Sequence, residues 1–157
     1  MPIHGAPAMR LSTLLAGLTD APLVHDPEIG GISLDSRAVQ PGWLFIAVPG
    51  ARTDGRAYIA GANARGAVAV VYEVDGFEPD ARSASAIGVR ALRQHIGTIA
   101  DRFYGAPTRK LKVVGVTGTN GKTSVASFAR QIWTLLDHPA INIGTTGIEG
   151  AWTAPSS

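Results

Sequence analysis

Residues 113–124 read VVGVTGTNGKTS. An apolar run gives way to glycines at 115, 118 and 121, then to Lys122 followed by two hydroxyl residues, Thr123 and Ser124. A loop of this kind between a strand and a helix aims backbone N–H groups and the helix N-terminus at an anion. Gly118 and Gly121 let the main chain approach phosphate oxygens with no Cβ in the way. Lys122 has the reach for β and γ phosphates, and the Thr123 hydroxyl is the kind of oxygen that ligates Mg2+. The strict phosphate-loop pattern, G-x-x-x-x-G-K-[ST], requires a glycine at 116, where this chain has Val116 between Gly115 and Gly118. The pattern fails by one residue and the context holds. A plain strand–helix turn with a solvated lysine is the competing reading. The joint occurrence of apolar strand, glycines, Gly-Lys-Thr-Ser and amphipathic helix favours phosphate.

A second group of polar residues stands in the first half of the chain. Asp35-Ser36-Arg37 ends a short apolar stretch, and Gly50-Ala51-Arg52-Thr53-Asp54-Gly55-Arg56 follows another. Alone, Asp35-Ser36-Arg37 reads as a solvated strand-end turn with an Asp–Arg pair. Thr145 and Thr146 fit a tight turn or a substrate-facing loop equally well. His4, His25, His95 and His138 are isolated, without the spacing of metal ligands. Trp43 reads as core.

Periodicity places these residues on elements. Residues 10–18 have helical spacing, and 31–34 (GISL) read as a strand running into Asp35. Pro41-Gly42 signals a turn before WLFIAV, 43–48, a buried strand closed by Pro49-Gly50. Residues 54–65 read as a helix with Gly66 at its C-cap, and AVAVVY, 67–72, as the next strand. Strand, helix and strand at that spacing predict a parallel βαβ unit. IGV, 87–89, is a short strand before a helix over 90–104. Gly105-Ala106-Pro107 breaks that helix and marks the expected domain boundary, giving domains 1–107 and 108–157. KLKVVGVT, 110–117, reads as a valine-rich strand into the glycine loop. A helix over 122–136 follows, with Val125, Phe128, Ala129, Ile132, Leu135 and Leu136 on its apolar face. Strands are expected at 140–143 and 147–150. A parallel sheet needs both faces covered. The second segment is too short to do that, so the chain is expected to be the front part, or a truncation, of a longer protein. Met9 is an alternative start.

Composition narrows the classes. The 157 residues carry a formal charge of +2. Arginines are scattered, with no basic stripe and interleaved aromatics, which argues against nucleic-acid binding. Having no cysteine, the chain has neither disulfides nor thiolate chemistry. No apolar run is long enough for a membrane span, and the N-terminus lacks signal-peptide character.

The string GVTGTNGKTS resembles the phosphate loop of the Mur ligase family, whose G-T-N-G-K-[TS] core accounts for Val116. Residues 34–71, LDSRAVQPGWLFIAVPGARTDGRAYIAGANARGAVAVV, look like that family's N-terminal domain, and INIGTTGIEG, 141–150, like its segment after the loop helix. The resemblance runs from about residue 10 to 157. The combination of GARTDGR and IGT-x-G favours the MurE type, which adds the third residue of the peptidoglycan stem.

The resemblance implies an α/β fold: a small N-terminal domain for the UDP-substrate, then the truncated start of a parallel-sheet ATP-binding domain. It implies ATP-dependent amide formation on UDP-MurNAc-L-Ala-D-Glu, with a diamino acid, meso-diaminopimelate or L-lysine, as the incoming amine. The carboxylate would attack the γ-phosphate to give an acyl phosphate, which the amine displaces. Leu34, Ser36, Ala51, Arg52 and Thr53 match substrate contacts. Gly118, Thr119, Asn120, Gly121, Lys122, Thr123 and Ser124 match the ATP loop, with Lys122 catalytic and Thr123 on Mg2+. A cytoplasmic monomer is expected. The family's acidic Mg2+ ligand, modified lysine and amino-acid-selecting residues match nothing in 1–157, so the chain alone is expected to be inactive. A non-catalytic nucleotide-sugar binding module is the alternative. Folylpolyglutamate and cyanophycin synthetases share the loop but not the DSR…GARTDGR domain.

Overall fold

A computed structural model describes residues 8–51, 53–78 and 86–150. Its packing divides the chain into two compact units, Met1–Leu111 and Lys112–Ser157.

The first unit is built on a parallel sheet. β3 (Gly31–Ser33), β4 (Trp43–Ala47), β5 (Ala69–Glu73) and β6 (Ile87–Val89) lie side by side in chain order. Leu44 pairs with Ile32 and Ala69, and Tyr72 with Ala47 and Gly88. Both faces are covered, so the strands read as near-continuous apolar runs. Alternation sends Leu44, Ile46 and Val71 to one face, against α1 (Leu11–Leu15) and α3 (Leu92–Phe103). Phe45, Ala47, Val70 and Tyr72 go to the other, against α2 (Ile59–Ala64). Each fully buried Leu, Ile or Phe in these layers contributes about 1.5–3 kcal/mol.

A short antiparallel pair, β1 (Met9–Arg10) with β2 (Glu28–Ile29), ties down the start of α1. Sequence periodicity does not reveal it, because two-residue strands have no period. The helix expected over 54–65 is two elements: a 3-10 turn, Gly55–Tyr58, then α2. The Asp54 carboxylate accepts from the Arg56 N–H at 2.9 Å and sets that tight entry. Gly66, with φ +90, ends α2 as expected, donating its N–H to Asn63 O.

The second unit departs further from expectation. α4 (Lys122–Leu135) is present, but residues 112–117 form no strand. No described strand pairs with them, and Val113 and Val114 are exposed. A valine-rich stretch is a strand only where a neighbour takes its N–H and C=O groups. β7 (Ile141–Gly144) and β8 (Gly147–Gly150) pair with each other as an antiparallel hairpin. The apolar stripe expected on α4 is open to solvent at Val125, Phe128, Ile132, Leu135 and Leu136. One helix and one hairpin do not offer enough surface to cover it.

Candidate functional site

The glycine loop is ordered around its lysine. Gly118 has φ +145 and Gly121 φ +76, left-handed or near-mirror conformations that favour glycine. Gly121 is the residue before α4, and its carbonyl accepts the Val125 N–H at 2.9 Å, the first turn of the helix. The Lys122 amine folds back over the loop and donates to the carbonyls of Gly118 and, at 3.1 Å, Thr119. The ammonium thus lies against the bend formed by 118–121. Asn120, Thr123 and Ser124 are exposed beside it on the loop and the first turn of α4. Residues 118–121 form successive bends, and Lys122 itself is exposed.

The substrate residues expected in the first unit sit at the carboxyl ends of β3 and β4, where parallel α/β sheets carry their ligands. Ser33 closes the turn after β3, donating its hydroxyl to Asp35 O at 2.9 Å and accepting the Asp35 N–H at 3.0 Å. Asp35 Oδ1 accepts the Arg37 N–H at 2.9 Å. The Arg37 guanidinium then grips the same carboxylate through Nε at 2.9 Å and Nη2 at 2.7 Å. The Arg37 fork holds the Asp35 carboxyl down at about 2. Ser36, between them, is buried, and Leu34 is exposed. The Asp–Arg turn read from sequence is present.

The same grammar recurs after β4. Pro49 bridges Asp54, and Gly50 donates its N–H to Thr53 O at 2.9 Å, so Ala51 and Thr53 lie exposed on a closed loop. Arg52 lies outside the described residues. Asp54 takes the Arg56 N–H and then its guanidinium, through Nε at 3.0 Å and Nη2 at 2.7 Å. Here the arginine is buried, 8% exposed. Its Nη1 donates to Glu73 O at 3.1 Å and Asp75 O at 2.7 Å, and its guanidinium carbon stands 4.9 Å from the Phe77 ring centroid. The Asp54 bonds raise the Arg56 pKa and lower that of Asp54. Gly55 is required between them: a Cβ there would stand 2.8 Å from Val48 O. The first turn has no such constraint and carries serine.

Two contributors escape a sequence reading. Arg56 looks like one of many scattered arginines, and its signal is the repeat of Asp-x-Arg after two successive strands. Glu73 is buried at the end of β5 and accepts the Arg93 N–H at 3.3 Å. A lone glutamate closing an apolar strand gives no warning of that. Thr145 and Thr146 form the two-residue turn of the β7–β8 hairpin, with the Thr146 hydroxyl donated to Glu149 at 2.8 Å.

A parallel-sheet unit with polar turns at its carboxyl edge, followed by a glycine loop wrapped on a lysine, defines an α/β protein. Comparison with known proteins gives the family: a model described as Mur ligase family, catalytic domain, matches residues 28–104. The chain belongs to the Mur ligase family. It is 46% identical over 146 residues to a UDP-N-acetylmuramoyl-L-alanyl-D-glutamate–2,6-diaminopimelate ligase of Ectopseudomonas mendocina, covering 91% of this chain and 29% of that protein. To the ligase of the same name from Pseudomonas aeruginosa it is 50% identical over 130 residues, covering 81% of this chain and 27% of the relative. A solved ligase of that name superposes with a TM-score of 0.68 at 27% identity, over 94% of this chain and 30% of its own. The chain therefore spans under a third of the length of these relatives. Among the described residues, no helix is long and apolar enough to cross a membrane.

Proposed function

We propose that this chain carries the nucleotide-sugar pocket and the ATP loop of a MurE-type ligase. The parent reaction joins a diamino acid, meso-diaminopimelate in the reading favoured here, to UDP-MurNAc-L-Ala-D-Glu. Residues 1–107 form the substrate domain and 108–157 the start of the ATP-binding domain. Leu34, Ser36, Ala51, Arg52 and Thr53 contact the substrate, and Gly118 to Ser124 hold ATP. The protein works in the cytoplasm as a monomer.

The observation that carries this reading is the loop at Gly118–Lys122. Its glycines at 118 and 121 adopt positive-φ conformations that place no Cβ on the loop, and its lysine already lies against it. These residues fit a nucleotide's phosphates. The Lys122 ammonium offers its protons to phosphate oxygens in exchange for two loop carbonyls, and a charge-assisted bond is the stronger of the two kinds. The Thr123 hydroxyl, on the first turn of α4, is the oxygen for Mg2+. Bound there, Mg·ATP supplies the phosphoryl group that makes a carboxylate a competent acyl donor.

Titration calorimetry tests both halves. The wild-type chain is expected to bind UDP-MurNAc-L-Ala-D-Glu and Mg·ATP. Lys122→Ala is expected to weaken Mg·ATP by more than about tenfold and leave the UDP ligand unaffected. Binding of the UDP ligand without Mg·ATP would favour a nucleotide-sugar module with a vestigial loop. Binding of neither ends the proposal.

A further inference from the structure

Neither helix on the β1-side face of the sheet caps its own N-terminus. The N-cap of α1 is Arg10, and that of α3 is Ala91, held at φ +50; neither makes a side-chain capping bond. A carboxylate from elsewhere in the chain serves each. Asp26 uses both oxygens on Ser12, taking the N–H and the hydroxyl at 2.8 Å each. Glu73 uses one. Its Oε2 accepts the Arg93 N–H at 3.3 Å, at the start of the 12-residue α3, while Oε1 is buried with no partner among the described residues. Glu73 is 7% exposed. A buried carboxylate oxygen left unpaired is unfavourable and rare, so it points to a donor.

The place of Glu73 says which donor. It closes β5 at the carboxyl edge of the sheet, next to β4, whose following loop carries Ala51 and Thr53. Arg56 donates to its carbonyl at 3.1 Å, and the Arg93 guanidinium reaches Pro49 O, at the base of the Ala51–Thr53 loop, at 3.5 Å. Glu73 is thus tied on both sides to the loop assigned to the substrate. A carboxylate repels a diphosphate, so the partner is a neutral donor. An acidic residue past a strand end reading a ribose hydroxyl is a recurring arrangement in nucleotide-binding α/β sheets.

We propose that Glu73 Oε1 accepts a hydrogen bond from the nucleoside of the substrate, from a ribose hydroxyl or the uracil imide N–H. This rests on the nucleotide-sugar reading above.

Calorimetry on the wild-type chain would compare UDP with 2′-deoxy-UDP, 3′-deoxy-UDP and N3-methyl-UDP. One analogue is expected to bind about tenfold or more weakly, as loss of a bond to a charged acceptor requires, and its identity names the donor. Glu73→Gln keeps an oxygen for the Arg93 N–H and turns an amide N–H toward the ligand. It is expected to unfold at nearly the wild-type temperature, to bind UDP about tenfold more weakly, and to lose the discrimination against that analogue. Equal binding of all four ligands by the wild type overturns the inference, as does undiminished UDP binding or retained discrimination in the variant. The wild-type series decides alone if the variant does not fold. Failure of the wild type to bind both UDP and UDP-MurNAc-L-Ala-D-Glu overturns the functional reading itself, and this inference with it.

Discussion

Arg56→Ala separates burial from sequence grammar. The substitution strips two bonds from a cation to the carbonyls of Glu73 and Asp75, the fork on Asp54, and the contact with Phe77. Bonds to charged groups are worth about 1.5–3 kcal/mol each, and the ring contact adds about 0.5–1 kcal/mol. The Asp54 end of the fork is 42% exposed and adds little. Desolvating and ordering the guanidinium offsets about 2 kcal/mol of this. The net loss is about 3 kcal/mol. In urea, at about 2 kcal/mol per molar for a domain of this size, the midpoint falls by about 1.5 M. Trp43 lies in β4, so its fluorescence in a W133F/W152F background reports the first unit. Arg37→Ala is the control. It breaks the same local fork, but the Arg37 and Asp35 side chains are 83% and 47% exposed and, among the described residues, hydrogen-bond to no other element. Its midpoint is expected to fall by well under about 0.5 M, as for an exposed pair. Arg56→Lys keeps the charge, loses the planar fork, and should fall between. A shift under about 0.5 M for Arg56→Ala, or equal shifts for the two arginines, would refute the claim that burial rather than the Asp-x-Arg motif sets the energy.

Gly55→Ala drives a Cβ toward Val48 O, 2.8 Å away in backbone that cannot swing aside, and is expected to cost about 1–3 kcal/mol in the same urea assay; Ser36→Ala, at the equivalent position, should cost less. The Asp35 carboxyl should titrate at about 2 in carbon-detected NMR, and return toward the ordinary 3.8 in Arg37→Met. Because the folded value lies below the unfolded one, the stability gap between wild type and Arg37→Met is complete above about pH 4 and closes as pH falls toward about 2; a gap that widens on acidification contradicts the pairing. Hydrogen exchange should find the amides of α4 and β7–β8 far less protected than those of β4 and β5. The second unit leaves Val125, Phe128 and Ile132 in solvent, while the first buries Phe45, Ile46 and Val71. Equal protection would show that the exposed stripe is covered in solution.

The first unit was legible because its signals agree at every level. Apolar runs at 43–48 and 67–72 are flanked by Pro-Gly and by Gly66, and the two-faced burial of β4 and β5 is what continuous apolar strands imply. The start of α4 was legible because Gly121 and Lys122 stand where the amphipathic pattern begins. What failed to show is what depends on distant partners. Residues 112–117 have the composition of a strand, and composition does not supply the neighbour that makes a ladder. Apolar periodicity gave α4 its stripe but not a surface to pack against. Arg56 and Glu73 were invisible for a related reason: burial of a charged side chain is decided by residues 17 positions away, and nothing local announces it.

The two Asp-x-Arg turns show how one local device can have two outcomes. Each is fixed by an aspartate that accepts its arginine's N–H, and each follows a parallel strand. The difference lies in what the sheet brings within reach. After β4, the neighbouring strand β5 and the turn that follows it present one carbonyl each, and Arg56 is consumed in bracing against them. β3 likewise has the next strand, β4, beside it, but among the described residues Arg37 bonds only to Asp35. Its guanidinium remains oriented by Asp35 and open to solvent. A planar cation held in one orientation has already lost most of the freedom that binding an anion would remove. Burial thus makes a brace of one turn, while exposure leaves the arginine of the other oriented and unspent.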